Sequence, residues 1–138
     1  MPDFFVPDVF FCAMTENEIG DIVVAEAIRL HRELGPGLLE SVYEAVLAHL
    51  LAERGLSVER QKAIPVVFRN VECGEGFRAD IVVEGKVILE LKSVESVNRA
   101  HKKQLLTYLR LSGLKLGYLL NFGESLMKDG IARVANNL

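Results

Sequence analysis

The chain has 138 residues, half of them hydrophobic and a quarter charged, which fits one domain with its own apolar core and excludes a disordered polymer. A net charge of -3 excludes a generally basic nucleic-acid coat, so any contact with nucleic acid must use a local patch. The cysteines, Cys12 and Cys73, are too few for a disulfide framework or a zinc site, and read as inert thiols in a reducing cytoplasm.

Residues 1–13 are apolar and aromatic, but they lack a basic leader and are interrupted by two prolines and two aspartates. Neither a signal peptide nor a membrane span fits, and no later apolar run reaches bilayer length. The segment reads as an N-terminal extension, ordered or not, preceding a single domain over 14–138. Thr15-Glu16-Asn17-Glu18 has the form of a capping box. The helix it opens carries Ile19, Ile22, Val23, Ala27, Leu30 and Leu34, and Gly35-Pro36-Gly37 stops it. A second helix is expected from about Leu38 to Arg54, with Leu39, Val42, Val46 and Leu50 as its apolar stripe and Gly55 ending it.

From Ser57 the pattern changes. SVERQKAIPVVF reads as extended chain, with Pro65 marking an edge or a break, and NVECGEGF reads as a turn-rich connection. RADIVV and KVILELKS are two strands joined at Glu84-Gly85-Lys86. Ser96 or Asn98 caps a third helix that runs to Leu111 and closes at Ser112-Gly113. LKLGYLLNF is a short apolar run bounded by glycine, hence a buried strand. The tail ESLMKDGIARVANNL admits both a short helix and a final extended piece. The order implies an α/β fold of mixed sheet and helices, with a parallel βαβ crossover through the third helix.

The strand run RADIVVEGKVILELK contains three ionisable groups, Asp80, Glu90 and Lys92. Glu90 and Lys92 are two apart on a strand and share a face. A three-residue turn at 84–86 sets Asp80 opposite Glu90, whereas a two-residue turn does not, and the sequence leaves that choice open. Two adjacent carboxylates repel unless a proton or a cation lies between them. Oxygen ligands of this kind suit Mg²⁺ or Mn²⁺, and Lys92 beside them suits metal-assisted hydrolysis of a phosphodiester. The bland alternative is a salt bridge on a solvated sheet edge, of little energetic consequence.

Other features weigh against that alternative. Glu40 stands in the first turn of the second helix, on one face with Tyr43 and Glu44. Gln104 and Tyr108 are i, i+4 neighbours on the third helix. Arg99, His101, Lys102, Lys103 and Arg110 give that helix a basic flank, either a solvated face or a contact for a phosphate backbone. His31 sits near the end of the first helix, where core or cap duty suits it better than catalysis.

Gly37-Leu38-Leu39-Glu40-Ser41-Val42-Tyr43, then Arg78-Ala79-Asp80, then Glu90-Leu91-Lys92, then Gln104-Leu105-Leu106-Thr107-Tyr108 together resemble the PD-(D/E)xK nuclease superfamily. Within it they are most similar to the small bacterial GxxExxY proteins, with the QxxxY element of the RecB-like branch. The resemblance spans roughly Thr15 to Val134. It implies a restriction-endonuclease-like core (αβββαβ), a mixed sheet flanked by helices, and a divalent-metal-dependent nuclease acting on DNA in repair or defence. By resemblance Asp80, Glu90 and Glu40 would be catalytic metal ligands for Mg²⁺ or Mn²⁺, and Lys92 the catalytic lysine. Gln104, Tyr108 and Tyr43 would contact substrate or support the site, with Lys102 and Lys103 beside them. Ala79 stands where the family motif has proline. Two further readings stay open: a non-catalytic nucleic-acid or protein-binding module on the same fold, and a homodimeric enzyme that resolves junctions.

Overall fold

The computed structural model describes residues 14–138. The proposed extension and Cys12 lie outside the described residues. Helices α1 (Glu16–Leu34) and α2 (Glu40–Glu53) precede strands β1 (Val58–Phe68), β2 (Val71–Val83) and β3 (Val87–Lys92). Helix α3 (Arg99–Ser112), strand β4 (Leu116–Asn121), a 3-10 turn at Met127–Gly130 and strand β5 (Ile131–Ala135) complete the chain. The sheet order is β1-β2-β3-β4-β5; β3 and β4 run parallel around α3, and every other neighbouring pair is antiparallel. This is the α/β mixed sheet read from the sequence.

The local reasons are those of the sequence. Thr15 and Glu18 form the reciprocal capping box, Thr15 Oγ1 accepting from the Glu18 amide at 3.1 Å and Glu18 from the Thr15 amide at 2.9 Å. Asn98, rather than Ser96, caps α3, and its box is closed by the His101 ring. Gly113 ends α3 in the left-handed region, where glycine carries no Cβ penalty.

The sheet separates two cores. On one face α1 and α2 pack Ile19, Val23, Ala27, Leu30, Tyr43, Leu47 and Leu51 against Ile81, Val83, Leu89 and Leu91. On the other, Leu105 and Leu109 of α3 pack against Ile64, Phe77, Val82, Ile88 and Leu119. Each Val, Ile, Leu or Phe among them, fully buried, contributes about 1.5–3 kcal/mol.

Two sequence expectations need correction. The buried stripe of α2 is Tyr43, Leu47, Ala48 and Leu51, while Leu39 is 75 % exposed and Val42 39 %. That helix is apolar nearly all round, so its spacing does not single out the face that meets the sheet. NVECGEGF is not a connection either: after a two-residue turn at Arg69-Asn70, both at positive φ, Val71 begins β2 and pairs with Phe68. Glycine and charge made this stretch look like a loop, but paired backbone in a protruding ribbon needs no core-facing side chains.

Candidate active site

The turn between β2 and β3 decides the geometry. Val83 pairs with Val87, leaving Glu84, Gly85 and Lys86 as a three-residue loop. The register continues through Ile81 opposite Leu89, so the next pair is Asp80 with Glu90. There the side chains take over from the backbone ladder. Glu90 Oε2 accepts from the Asp80 amide at 3.0 Å, and Asp80 Oδ2 accepts from the Leu91 amide at 2.9 Å. The alternation of β2 also slips at Asp80: Phe77 and Ala79 belong to the α3 core, yet Ile81 belongs to the α1/α2 core. The strands part at that point, and their carboxylates stand in the opening.

These bonds orient each carboxylate without neutralising it. Burial is the leading cause that pushes Glu90 up to about 8, followed by the charge of Asp80; the Asp80 amide and the positive charge of Lys92 act in the opposite direction. Asp80 is also raised, mainly by burial and partly by Glu44 and Glu40, against the bonds from the Leu91 amide and Gln61. Tyr108 is raised by burial and by both carboxylates, which brings α3 up to the opening. Tyr108 stacks face to face on Phe77, with ring centroids 3.8 Å apart.

Glu40 is the first residue of α2, exposed, and close enough to act on Asp80. Tyr43 is fully buried and does not join the carboxylates. Its hydroxyl donates to the Gly35 carbonyl at 2.6 Å and accepts from the Leu38 amide at 3.1 Å, and its ring stacks on Phe122 at 4.5 Å. It clasps the turn that launches α2, a turn in which Gly37 has a φ of 101° that only glycine adopts readily. Gln104 is exposed on α3, as are Lys102 and Lys103. Lys102 lines a small cleft with Asn121 and Asp129, toward the β5 side of the sheet rather than toward Asp80. His31 has core duty: its Nε2 meets the Glu124 carbonyl at 2.8 Å, and its ring lies against Phe122.

Sequence reasoning placed Glu44 on the face of Glu40 without giving it a role, and missed Arg60, Gln61 and Asn121. Glu44 is 7 % exposed, one turn after Glu40, and its carboxylate accepts from Arg60 Nε at 3.0 Å and from Gln61 Nε2 at 2.7 Å. Gln61 Nε2 also reaches Asp80 Oδ1 at 3.3 Å, so one amide bridges the helix carboxylate and the strand carboxylate. Gln61 holds a positive φ of 49°, an uncommon backbone state for a residue with a side chain. The available signal was the i, i+4 spacing of Glu40 and Glu44; nothing local marked Gln61. Asn121 is opposite Lys92 across the parallel β3–β4 pair and fully buried. Its amide accepts from the Val94 and Gly123 backbone and donates to the Val94 carbonyl, which fixes the chain just beyond Lys92.

A family model described as the PD-(D/E)XK nuclease superfamily matches residues 17–134. The chain belongs to that superfamily. A comparison with curated proteins returns no match. The mixed five-stranded sheet with its flanking helices agrees with the restriction-endonuclease-like fold of the superfamily. Members are usually metal-dependent nucleases, so nucleic acid is the class of substrate the family implies. No helix among the described residues is long and apolar enough to cross a membrane.

The donor set fits a divalent cation of the hard type. Asp80 and Glu90 present carboxylate oxygens whose charge is poorly solvated and mutually repelled, a condition that an Mg²⁺ or Mn²⁺ ion relieves. Among the described residues no three His, Cys, Asp or Glu side chains form a cage, so solvent and substrate oxygens would complete the coordination. Mg²⁺ commonly binds in that way, through one or two carboxylates.

Proposed function

We propose that this protein is a divalent-metal-dependent nuclease that hydrolyses phosphodiester bonds of DNA, of the small GxxExxY type with a RecB-like QxxxY helix. The observation that carries the reading is the carboxylate pair Asp80–Glu90, locked by backbone amides where β2 and β3 part, with Lys92 on the same strand face as Glu90. Asp80 and Glu90 would hold the cation, and Glu40, exposed at the start of α2 and near enough to act on Asp80, would reach it through coordinated water. Bound there, the cation supplies Lewis-acid polarisation of a phosphoryl oxygen.

The chain's own groups do the rest. The Leu91 and Asp80 amides keep the inner carboxylate oxygens aimed at fixed donors and leave the others for the cation. Gln61 and Glu44 restrain Asp80 from the side of α2. Lys92 Nζ, two residues from Glu90, would orient the attacking water and donate to the charge that builds on the scissile phosphate. Tyr108, Gln104 and the exposed Lys103 would meet the substrate from α3, while Lys102, toward the β5 side, would meet only phosphates farther from the carboxylate pair. Residues 14–138 are proposed to form one nuclease domain, with residues 1–13 as its extension.

Calorimetric titration with Mn²⁺ tests the site. The wild type should bind and Asp80→Ala should lose at least tenfold in affinity. Equal binding by the two proteins would remove the reading, and a panel of single-stranded, duplex and branched DNA and RNA then defines the substrate.

A further inference from the structure

Arg78 precedes Asp80 by two residues on β2, between Phe77 and Ala79, both buried in the α3 core. Its backbone pairs with Ala63 of β1, so the base of the side chain is fixed. The side chain is about half exposed, and its guanidinium serves two acceptors. Nη1 donates to the Gln61 carbonyl at 2.9 Å, and Nη2 to Glu75 Oε1 at 2.7 Å. An exposed pair such as Arg78–Glu75 adds little stability by itself. The bond to a backbone carbonyl is what calls for a reason.

That carbonyl belongs to the strained residue of the site. The ladder steps from Arg60–Ile81 to Lys62–Ala79, and Gln61 between them takes a φ of 49°. A residue with a side chain stays in the left-handed region only where its surroundings fix it. One flank of Gln61 is fixed by the pairing of Arg60 with Ile81; on the other, the Arg78 guanidinium pins the peptide plane that follows. From this turn Gln61 Nε2 reaches Glu44 Oε1 at 2.7 Å and Asp80 Oδ1 at 3.3 Å. The bond to Asp80 is the longer, so it depends most on where the turn aims the amide. Among the described residues the ion pair of Arg78 is with Glu75 and not with Asp80, which leaves Gln61 as the link between them.

We propose that Arg78 is a positioning residue of the metal site: its guanidinium holds the left-handed turn at Gln61, and through the Gln61 amide it fixes the Asp80 carboxylate for the cation. This role presupposes the cation site proposed above. One planar fork must reach a carbonyl and a carboxylate at once, which the single ammonium of a lysine on its flexible stem does not reproduce. The sign of the effect separates this role from that of a nearby charge. A positive charge beside a cation site opposes binding, so removing a mere neighbour strengthens it, whereas removing a positioning group weakens it.

Calorimetric titration of the full chain with Mn²⁺ tests the role, with folding verified by circular dichroism. Arg78→Ala and Arg78→Lys should each lose about tenfold in affinity, and Arg78→Ala made on top of Gln61→Gly should add no further loss. An affinity unchanged or raised in Arg78→Ala overturns the proposal, as does full rescue by lysine or a loss that adds to that of Gln61→Gly. NMR in chelator gives a metal-free readout. The Gln61 side-chain amide signals, and the backbone coupling that reports its φ, should move to averaged values in Arg78→Ala; unmoved signals overturn the proposal. Asp80→Ala in the same titration keeps the two claims apart. If Asp80→Ala binds like the wild type, the cation site falls and this role with it. If Asp80→Ala alone is impaired, the site stands and Arg78 has no part in it.

Discussion

Glu90 is the residue through which the proposed site couples to pH. With its pKa raised from 4.5 to about 8, it holds a proton in the metal-free fold that it releases when the chain unfolds at neutral pH. The native state therefore binds more protons than the unfolded state between those values, and stability falls as pH rises through that window. In chelator, thermal melts should show the midpoint highest below the unfolded carboxylate range and dropping by several degrees as pH approaches 8. Glu90→Gln, which is neutral throughout, should flatten that slope; an unchanged slope would mean that the carboxyl is not the group responsible. On the proposed reading Mn²⁺ would take the place of the proton, so added metal should stabilise most at the alkaline end.

Gln61 is the other residue with a distinctive signature. Its amide ties Asp80 to Glu44, from a backbone held in the left-handed region at a φ of 49°. Gln61→Gly keeps a backbone that tolerates positive φ while removing the side chain and its bridging amide. The variant should stay folded yet lose about 10–100-fold in Mn²⁺ affinity, the usual cost of removing a group that orients a ligand. Calorimetry on the variant with Gln61→Glu beside it separates orientation from charge, because the carboxylate adds an acceptor where a donor is needed.

At the scale of elements, most of the architecture could be read from the chain. Thr15 and Glu18 announced α1, the 84–86 loop joined β2 to β3, and the short apolar run of β4 lay where a buried strand was expected. The hairpin loop carried the site with it, since its three-residue length is what sets Asp80 against Glu90. What escaped were features set by tertiary context. The apolar surface of α2 hid which side faces the sheet, and the outer half of β2 pairs with β1 while its side chains face solvent. The GxxExxY stretch proved partly structural: Gly37 makes the turn and Tyr43 clasps it, leaving Glu40 at the helix start. Tyr43→Phe removes two hydrogen bonds from a turn only partly buried and should cost about 1–2 kcal/mol by denaturant unfolding. If the loss is negligible, the turn is held by its glycines and by the ring stack alone.

For the whole molecule, one sheet with a core on each face gives a rigid frame, and the site occupies the place where that frame opens. The charged set Asp80, Glu90 and Lys92 was legible because charges inside an aliphatic hairpin require a reason. Glu44 was visible only as a neighbour of Glu40 on its helix face, and Arg60 and Gln61 were not legible at all, because their contacts join α2 to β1 across 16 or 17 residues. The acidic overall charge is also explained without excluding nucleic acid, since the basic residues of α3 are gathered on one element. Membership of the superfamily and the geometry of the carboxylate pair point in the same direction, and on the proposed reading Lys92 would be the group that distinguishes a working hydrolase from a metal-binding module on the same fold. The most direct measurement is Mg²⁺-dependent cleavage of labelled DNA by wild type and Lys92→Ala, matched for folded protein and for Mn²⁺ binding. The account predicts that the wild type cleaves and that Lys92→Ala falls by about 10²–10³-fold while still binding metal. Equal cleavage by the two proteins would contradict it.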